Sequence, residues 1–260
     1  MLRGIGGKYV IKNCVIFRYE KSWTKNWVID EDKVNRANLK NCMTVAQSRQ
    51  RKRIESLVAM SRKESLSMAS TTRKNHVFVS ECEYRAPKLL AAGSSVFVPV
   101  SHKIWLRKSG SLVVSFDAGR KLSSIGVTLL SYATTGSVSA ISKEQLDKNA
   151  FMRIKEWALS AADGHIKRIT LSNVMSDKIR FKQIVLSSSQ LESSELFDDL
   201  VESSSRVLNM SFTTPKLDAS SRSLNCRLTH WGGLTIYTPD ILDSEMSELI
   251  DVMERELPAP

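Results

Sequence analysis

The sequence predicts an α+β protein: a central antiparallel β core, sandwich-like or jelly-roll-like, with flanking helices. Apolar–polar alternation recurs from His76 onward at spacings of about ten residues, which is typical of antiparallel sheets rather than of βαβ units. Stretches with helical periodicity interrupt and follow these strands. Of the 260 residues, 42% are apolar and only 6 are proline, so we expect a folded chain.

Positive charge is concentrated in the first third of the chain. Residues 1–75 contain 17 lysines and arginines against 6 acidic residues, whereas the remaining residues contain 21 of each. We therefore divide the chain into a basic, partly helical region at 1–75, a β-rich core with inserted helices at 76–238, and an acidic amphipathic C-terminal helix at 239–260. The basic region indicates a polyanionic partner.

The elements of the basic region follow from its residue types. The β-branched and aromatic residues of 8–19 predict one or two short strands. Residues 33–69 lack glycine and proline and carry a loose apolar stripe, so we expect one long helix or two shorter ones. The polar stretch 67–76 is interpreted as a linker.

The core region begins with a series of strands. Pro99 interrupts one of them, which suits a sheet edge or a bulge, and the apolar run that ends at Phe116 is the strongest strand signal. The predicted strands of this part are 76–84, 94–108, 110–117, 124–133 and 136–141.

Helices then alternate with strands to the end of the chain. Ser142 and Gln145 form a capping-box pattern ahead of a helix that runs to about Ala162. An acidic amphipathic pattern and a proline-initiated apolar stripe predict two more helices. The helices are 142–162, 189–208 and 239–257, and the strands between them are 165–174, 178–188, 207–212, 224–228 and 234–237.

No pattern of residues predicts catalysis, a metal or a cofactor. The four histidines and four cysteines lie far apart, and none has metal-ligand spacing. Nucleophile-elbow and phosphate-loop patterns are absent from the sequence. We interpret the protein as a non-enzyme without a cofactor, and an unrecognised hydrolase is the remaining enzymatic hypothesis.

The compartment is predicted from three negative signals. No apolar run reaches the roughly 20 residues that span a bilayer. The N-terminus has basic residues but neither an unbroken apolar stretch nor a small-residue cleavage site. The scattered cysteines are typical of reduced thiols, so we expect a cytosolic protein that is not secreted.

Candidate nucleic-acid contacts lie in the helical part of the basic region. Arginines and lysines there would cover more than one helix face, which suits phosphate contacts rather than base reading. A basic helix can equally lie on an anionic membrane surface, and the sequence does not separate the two partners. The candidate residues are Arg49, Arg51, Lys52, Arg53, Arg62 and Lys63.

A second motif follows the strongest predicted strand. Asp117 ends the run Leu112–Phe116, and Gly119 and Arg120 come directly after it. No acid or base neighbour completes a catalytic pair. We interpret Asp117 as a turn-capping residue, Gly119 as a residue of unusual φ, and Arg120 as the partner of the carboxylate.

The stretch 94–133 resembles the central β region of the 30K superfamily of plant-virus movement proteins. That family has an apolar strand, a short polar linker with glycine, a second apolar strand ending in aspartate, and a basic residue soon after. Asp117 and Arg120 would be the last two features here. The proline-containing strand that usually follows is absent from 136–145.

The resemblance implies a non-enzymatic, jelly-roll-like protein that binds single-stranded RNA or DNA without sequence preference. It also implies self-association, contact with membranes and plasmodesmata at the host cell periphery, and transport of viral genomes between cells. The alternative is a viral matrix-like or nucleic-acid-associated structural protein, whose basic segment faces anionic lipid and whose C-terminal helix docks a partner protein.

Overall fold

A computed structural model describes most of the chain and divides it into two compact units. The first unit is Cys14–Glu144, and the second is Gln145–Pro258 together with Met1–Asn13. The predicted boundaries after residues 75 and 238 differ from this division, and the three-region organisation stays a prediction. The described residues are 12–19, 42, 44–48, 50–52, 55, 67–74, 77–89, 95–107, 112–116, 126–128, 130–132, 135–176, 178–188, 191 and 194–257.

The first unit contains an antiparallel arrangement of six strands. The strand order is β2-β3-β4-β5-β1, and β6 also pairs with β1. Ile16, Phe17, Ile104 and Val113 are buried in its core. The strands are β1 (Lys12–Tyr19), β2 (Ser67–Lys74), β3 (Val77–Leu89), β4 (Ser95–Arg107), β5 (Leu112–Phe116) and β6 (Ile141–Lys143).

The predicted strand interrupted at Pro99 is one continuous strand. Pro99 lies within β4 opposite Arg85 of β3. The register of β4 with β5 covers only Ile104–Leu106, so Pro99 lies where β4 has a described partner on one side only. Proline lacks the N–H that a second neighbour would need, which explains its tolerance there.

Several expectations for the first unit are wrong. The predicted linker 67–76, and the end of the predicted helix 33–69, fall on β2, because pairing with β3 provides hydrogen bonds that its weak apolar pattern did not indicate. The predicted strand 124–133 is helical at its described residues, where Val127, Thr128, Leu130 and Ser131 are all buried. Of the predicted strand 136–141, only Ile141 is extended.

The second unit is a five-stranded antiparallel sheet with three helices. The strand order is β11-β10-β9-β7-β8. All five strands lie where the alternating pattern predicts them, which confirms the α+β class and its antiparallel pairing. The elements are α1 (Lys148–Ala158), β7 (His165–Ser176), β8 (Ile179–Ser187), α2 (Glu195–Ser203), β9 (Arg206–Thr213), β10 (Asn225–Thr229), β11 (Gly233–Ile236) and α3 (Asp243–Glu256).

The helices of this unit begin later than the sequence predicts. Ser142 belongs to β6, and the cap of α1 is Asp147, whose carboxylate accepts a hydrogen bond of 2.7 Å from Ala150 N. The acidic helix predicted at 189–208 is limited to α2, because Arg206 already pairs with Ser172 as the first residue of β9. The predicted C-terminal helix is confirmed as α3.

The core of the second unit lies between its helices and one face of its sheet. Phe151, Ile154 and Phe197 are buried on the helices, and α1 and α2 pack against β7 and β9. The ring of Trp157 on α1 contacts Phe212 on β9 edge-on, with ring centroids 6.3 Å apart. The helices therefore cover one face of the sheet, and the properties of the opposite face follow from the register.

Candidate nucleic-acid interface

Strand alternation separates a buried face from an open face in the second unit. Successive side chains of a strand point to opposite faces, so residues two apart share a face. The buried residues form one register across the sheet: Ile169 and Leu171 on β7, Met210 and Phe212 on β9, Cys226 and Leu228 on β10, and Leu234 and Ile236 on β11. The residues between them form the surface that we call the open face.

The five strands of this unit are basic and contain no acidic residue. They carry four arginines and two lysines, and neither aspartate nor glutamate occurs in β7 to β11. Two of the helices are acidic: α2 has four acids and no base, and α3 has six acids and one arginine, whereas α1 carries three bases and one acid. Negative charge in this unit is therefore kept off the strands and concentrated on α2 and α3.

One row of the open face crosses all five strands. Arg168 on β7 and Arg227 on β10 both lie opposite Ser211 on β9, and Ser187 and Thr235 complete the row at its two ends. Two strand spacings separate the two arginines, about 10 Å. Both are exposed, and neither forms an ion pair with another described side chain.

Two more cations lie on the open face outside this row. Arg206 lies opposite Ser172 at one end of the sheet and is exposed. Lys167 lies at an irregularity of the β7–β9 register, between Ile166 and Arg168. Its Nζ donates a hydrogen bond to Asn225 Oδ1 at 2.6 Å. The described part of the open face thus offers four cationic side chains and no carboxylate.

Hydroxyl and amide groups fill the space between the cations. Thr213 Oγ1 donates to Asn225 Oδ1 at 3.1 Å, and Thr170 Oγ1 lies 3.3 Å from Asn209 Oδ1. Such groups donate hydrogen bonds to phosphate and sugar oxygens in nucleic-acid complexes. Thr170 and Thr213 are themselves buried, so the exposed polar groups of this face are chiefly its cations. The open face is therefore polar and positively charged over β7, β9 and β10, with solvent access concentrated at the cationic side chains.

The open face also has an apolar margin on β8. Phe181 and Val185 share the face of Ser187, and each is more than 40% exposed. An exposed aromatic ring beside cations can stack on an unpaired base, which is how single-stranded nucleic acids are held without sequence preference. The arrangement suits phosphate binding with stacking, and offers no acid–base pair for catalysis among the described residues of this face.

Most of the residues singled out from the sequence lie outside the described residues. Arg51 and Lys52 are helical and exposed, and Arg51 N donates to Gln47 O at 2.8 Å. That conformation agrees with the helix predicted there and leaves their role a prediction. The structure does not describe Arg49, Arg53, Arg62, Lys63, Asp117, Gly119 and Arg120.

Sequence reasoning missed the open face, although a signal for it was present. Residues 76–260 balance in charge, so the core appeared neutral. The signal was the distribution within that balance, since β7 to β11 lack acidic residues while α2 and α3 are rich in them. Which cations share a face depends on the register between strands, and the sequence does not contain that register explicitly.

Comparisons with known proteins add no assignment. Models of protein families give no match to this chain, and a search of curated proteins gives none either. Among the described residues, no helix is long and apolar enough to cross a membrane. The same residues include no cluster of three or more histidine, cysteine or acidic side chains placed to hold a metal ion.

Proposed function

We propose that this protein binds single-stranded nucleic acid, without catalysis and without sequence preference, through the open face of its second unit. One observation carries the proposal: a sheet face with four exposed cations, half-buried or buried hydroxyl and amide groups between them, and no carboxylate on its strands. A carboxylate would repel phosphate, so its absence from all five strands matters as much as the cations. Phe181 supplies a stacking surface at the margin.

The basic segment around Arg51 and Lys52 is the second part of the same proposal. Exposed helical cations of this kind contact phosphates without reading bases. The resemblance of 94–133 extends the proposal to movement-type transport of a viral genome at the host cell periphery, with a jelly-roll-like strand arrangement. β4 and β5 lie within that stretch and support it, whereas the helical residues 126–128 and 130–132 depart from it.

The test compares two double variants in filter binding to single-stranded RNA of several sequences. Arg168→Gln/Arg227→Gln removes two cations from the open face, and the control Lys216→Gln/Arg255→Gln removes two exposed cations outside the strands. At low salt we expect the first variant to lose affinity by about tenfold or more, and its salt slope to fall by about 1.4 log units. The control stays close to the parent protein.

Two outcomes would overturn the proposal. Equal losses in both variants would mean that the effect is one of net charge, and no binding by the parent protein would remove the function itself. The variant Arg49→Gln/Arg51→Gln/Lys52→Gln/Arg53→Gln measures the share of the basic segment in the same assay. Flotation with anionic and neutral vesicles separates this function from the matrix-like alternative, which requires lipid binding without RNA binding.

A further inference from the structure

The outermost strand of the second unit, β8, has an unpaired edge. The strand order of this sheet ends at β8, which pairs with β7 on one side and with no described strand on the other. Seven of its nine residues are exposed, and the other two, Ile184 and Leu186, are only half-buried. An edge strand of this length presents a row of free backbone N–H and C=O groups that another strand can pair with.

We propose that β8 pairs antiparallel with β8 of a second copy of this chain, about a two-fold axis at Gln183. Gln183 is the middle residue of Ile179–Ser187, so this register alone pairs every residue of the strand. A closed two-fold interface uses the same patch on both subunits, and an antiparallel edge-to-edge pair has this symmetry.

The register brings apolar residues together at the open face. Phe181 lies opposite Val185 of the second copy, and by symmetry Val185 lies opposite the second Phe181. Both side chains are more than 40% exposed in the single chain. Directly opposed aromatic and β-branched side chains are favourable cross-strand pairs, and the two-fold symmetry makes this pair occur twice in the dimer.

On the other face of β8, this register places each cation opposite an apolar residue of the second copy. Lys182 lies opposite Ile184 of the second copy, and Arg180 lies opposite its Leu186. Shifting the axis to Lys182 would place two lysines opposite each other, and an axis at Phe181 would place Arg180 opposite Lys182. Like charges in directly opposed positions are destabilising, so electrostatics disfavours shifts of the axis toward Arg180. Shifts in the other direction leave residues of β8 unpaired, which favours the register at Gln183.

Charge and shape beside Leu186 complement the incoming arginine. A cavity of about 190 Å³ lies there, lined by Leu186, Leu191, Leu196 and Phe197 among others. Leu196 on α2 is 60% exposed, and α2 carries only acidic charges. The aliphatic stem of Arg180 from the second copy would cover the apolar lining, while its guanidinium approaches the carboxylates of α2.

The geometry also fixes the relation of the two open faces. A two-fold axis between antiparallel edge strands is perpendicular to the sheet, so both open faces lie on the same side. The two open faces would then form one surface across ten strands, with the Arg168–Arg227 rows of the two copies offset from each other by about 27 Å along the strands. The pairing itself needs no nucleic acid, so it can be tested independently of the proposed function.

The first test is disulfide trapping in the full-length chain after nuclease treatment. Gln183→Cys places two thiols opposite each other at the axis, where antiparallel Cα atoms are about 4.5–5.5 Å apart, within disulfide range. Ser187→Cys is the matched control on the same exposed strand, because its counterpart lies about 27 Å away along the strand at about 3.4 Å per residue. Gln183→Cys should form covalent dimers under mild oxidation, and Ser187→Cys should remain at the parent background.

The second test measures self-association by sedimentation at several protein concentrations. Val185→Lys replaces both apolar pairs by lysine against Phe181, and we expect the dimer dissociation constant to rise about tenfold. Ser160→Lys adds the same charge at an exposed position outside β8 and should leave it unchanged. The proposal is wrong if the parent protein is monomeric at high micromolar concentration, or if both cysteine variants cross-link equally.

Discussion

At the scale of single residues, Glu245 illustrates how a buried charge secures α3. Its side chain is fully buried and forms an ion pair with Arg222, whose Nη2 lies 2.6 Å from Glu245 Oε2. Leu242 N also donates to Oε2 at 2.8 Å. The hydrogen bond from Arg222, more than any other contact, lowers the pKa of Glu245 from 4.5 to about 2.

This ion pair predicts an acid-sensitive contribution to stability. Because the folded-state pKa of Glu245 is depressed, the contribution is present above pH 4.5 and disappears as the pH falls toward 2. In Glu245→Gln we expect the free energy of unfolding at pH 7 to fall by about 2 kcal/mol. The free energy of unfolding, measured with urea, should also fall less steeply for the variant than for the parent protein between pH 5 and pH 2.5.

The control for this prediction is an exposed carboxylate on another helix. Glu195→Gln removes the same charge from the first turn of α2, where no ion pair with a described residue is formed. Its pH profile should follow that of the parent protein. A Glu245→Gln profile identical to the parent would show that the pair with Arg222 contributes nothing.

At the scale of elements, α1 begins at a different residue from the one that the sequence predicts. The capping-box pattern pointed to Ser142, yet Asp147 accepts the bond from Ala150 N. We expect Asp147→Ala to destabilise the protein by about 1 kcal/mol, because a helix N–H loses its acceptor. Ser142→Ala should have a much smaller effect, and Asp147→Ser should recover most of the loss. Thermal unfolding of the three variants checks this, and a larger loss for Ser142→Ala would contradict it.

At the scale of the whole molecule, the division into two units predicts that the second can fold by itself. It has its own core, in which Phe151, Phe197 and Phe212 are fully buried. A fragment of residues 145–260, which carries this core without the segment Met1–Asn13, should therefore unfold cooperatively in urea and retain near-ultraviolet circular dichroism. A fragment without a cooperative transition would contradict this expectation.

Local pattern was sufficient for most of the second unit and insufficient for parts of the first. The stretches 165–174 and 178–188 are predicted as strands from the sequence, and they form β7 and β8. β2 has few apolar residues and depends on β3 for its hydrogen bonds, so its own sequence indicates a linker. The apolar run around Val127 fits both periods, and only its buried surroundings distinguish helix from strand.

The candidate site was likewise predictable only in the part that depends on residues adjacent along the chain. Clustered cations in the basic segment are visible in the sequence because they are adjacent along the chain. Arg168 and Arg227 are 59 residues apart in sequence, and only their common register with Ser211 makes them neighbours. Sequence analysis could therefore predict a polyanion partner but not this surface for it.

The sequence by itself determined the α+β class, the five strands and three helices of the second unit, and the overall excess of positive charge, because these properties depend on residue type and on periods of two to four residues. Only the tertiary structure decided which cations share a face, that Arg222 neutralises Glu245, and that β8 lies at an edge. Each of these depends on contacts between segments distant in the chain, and long-range pairing sets those contacts rather than local periodicity.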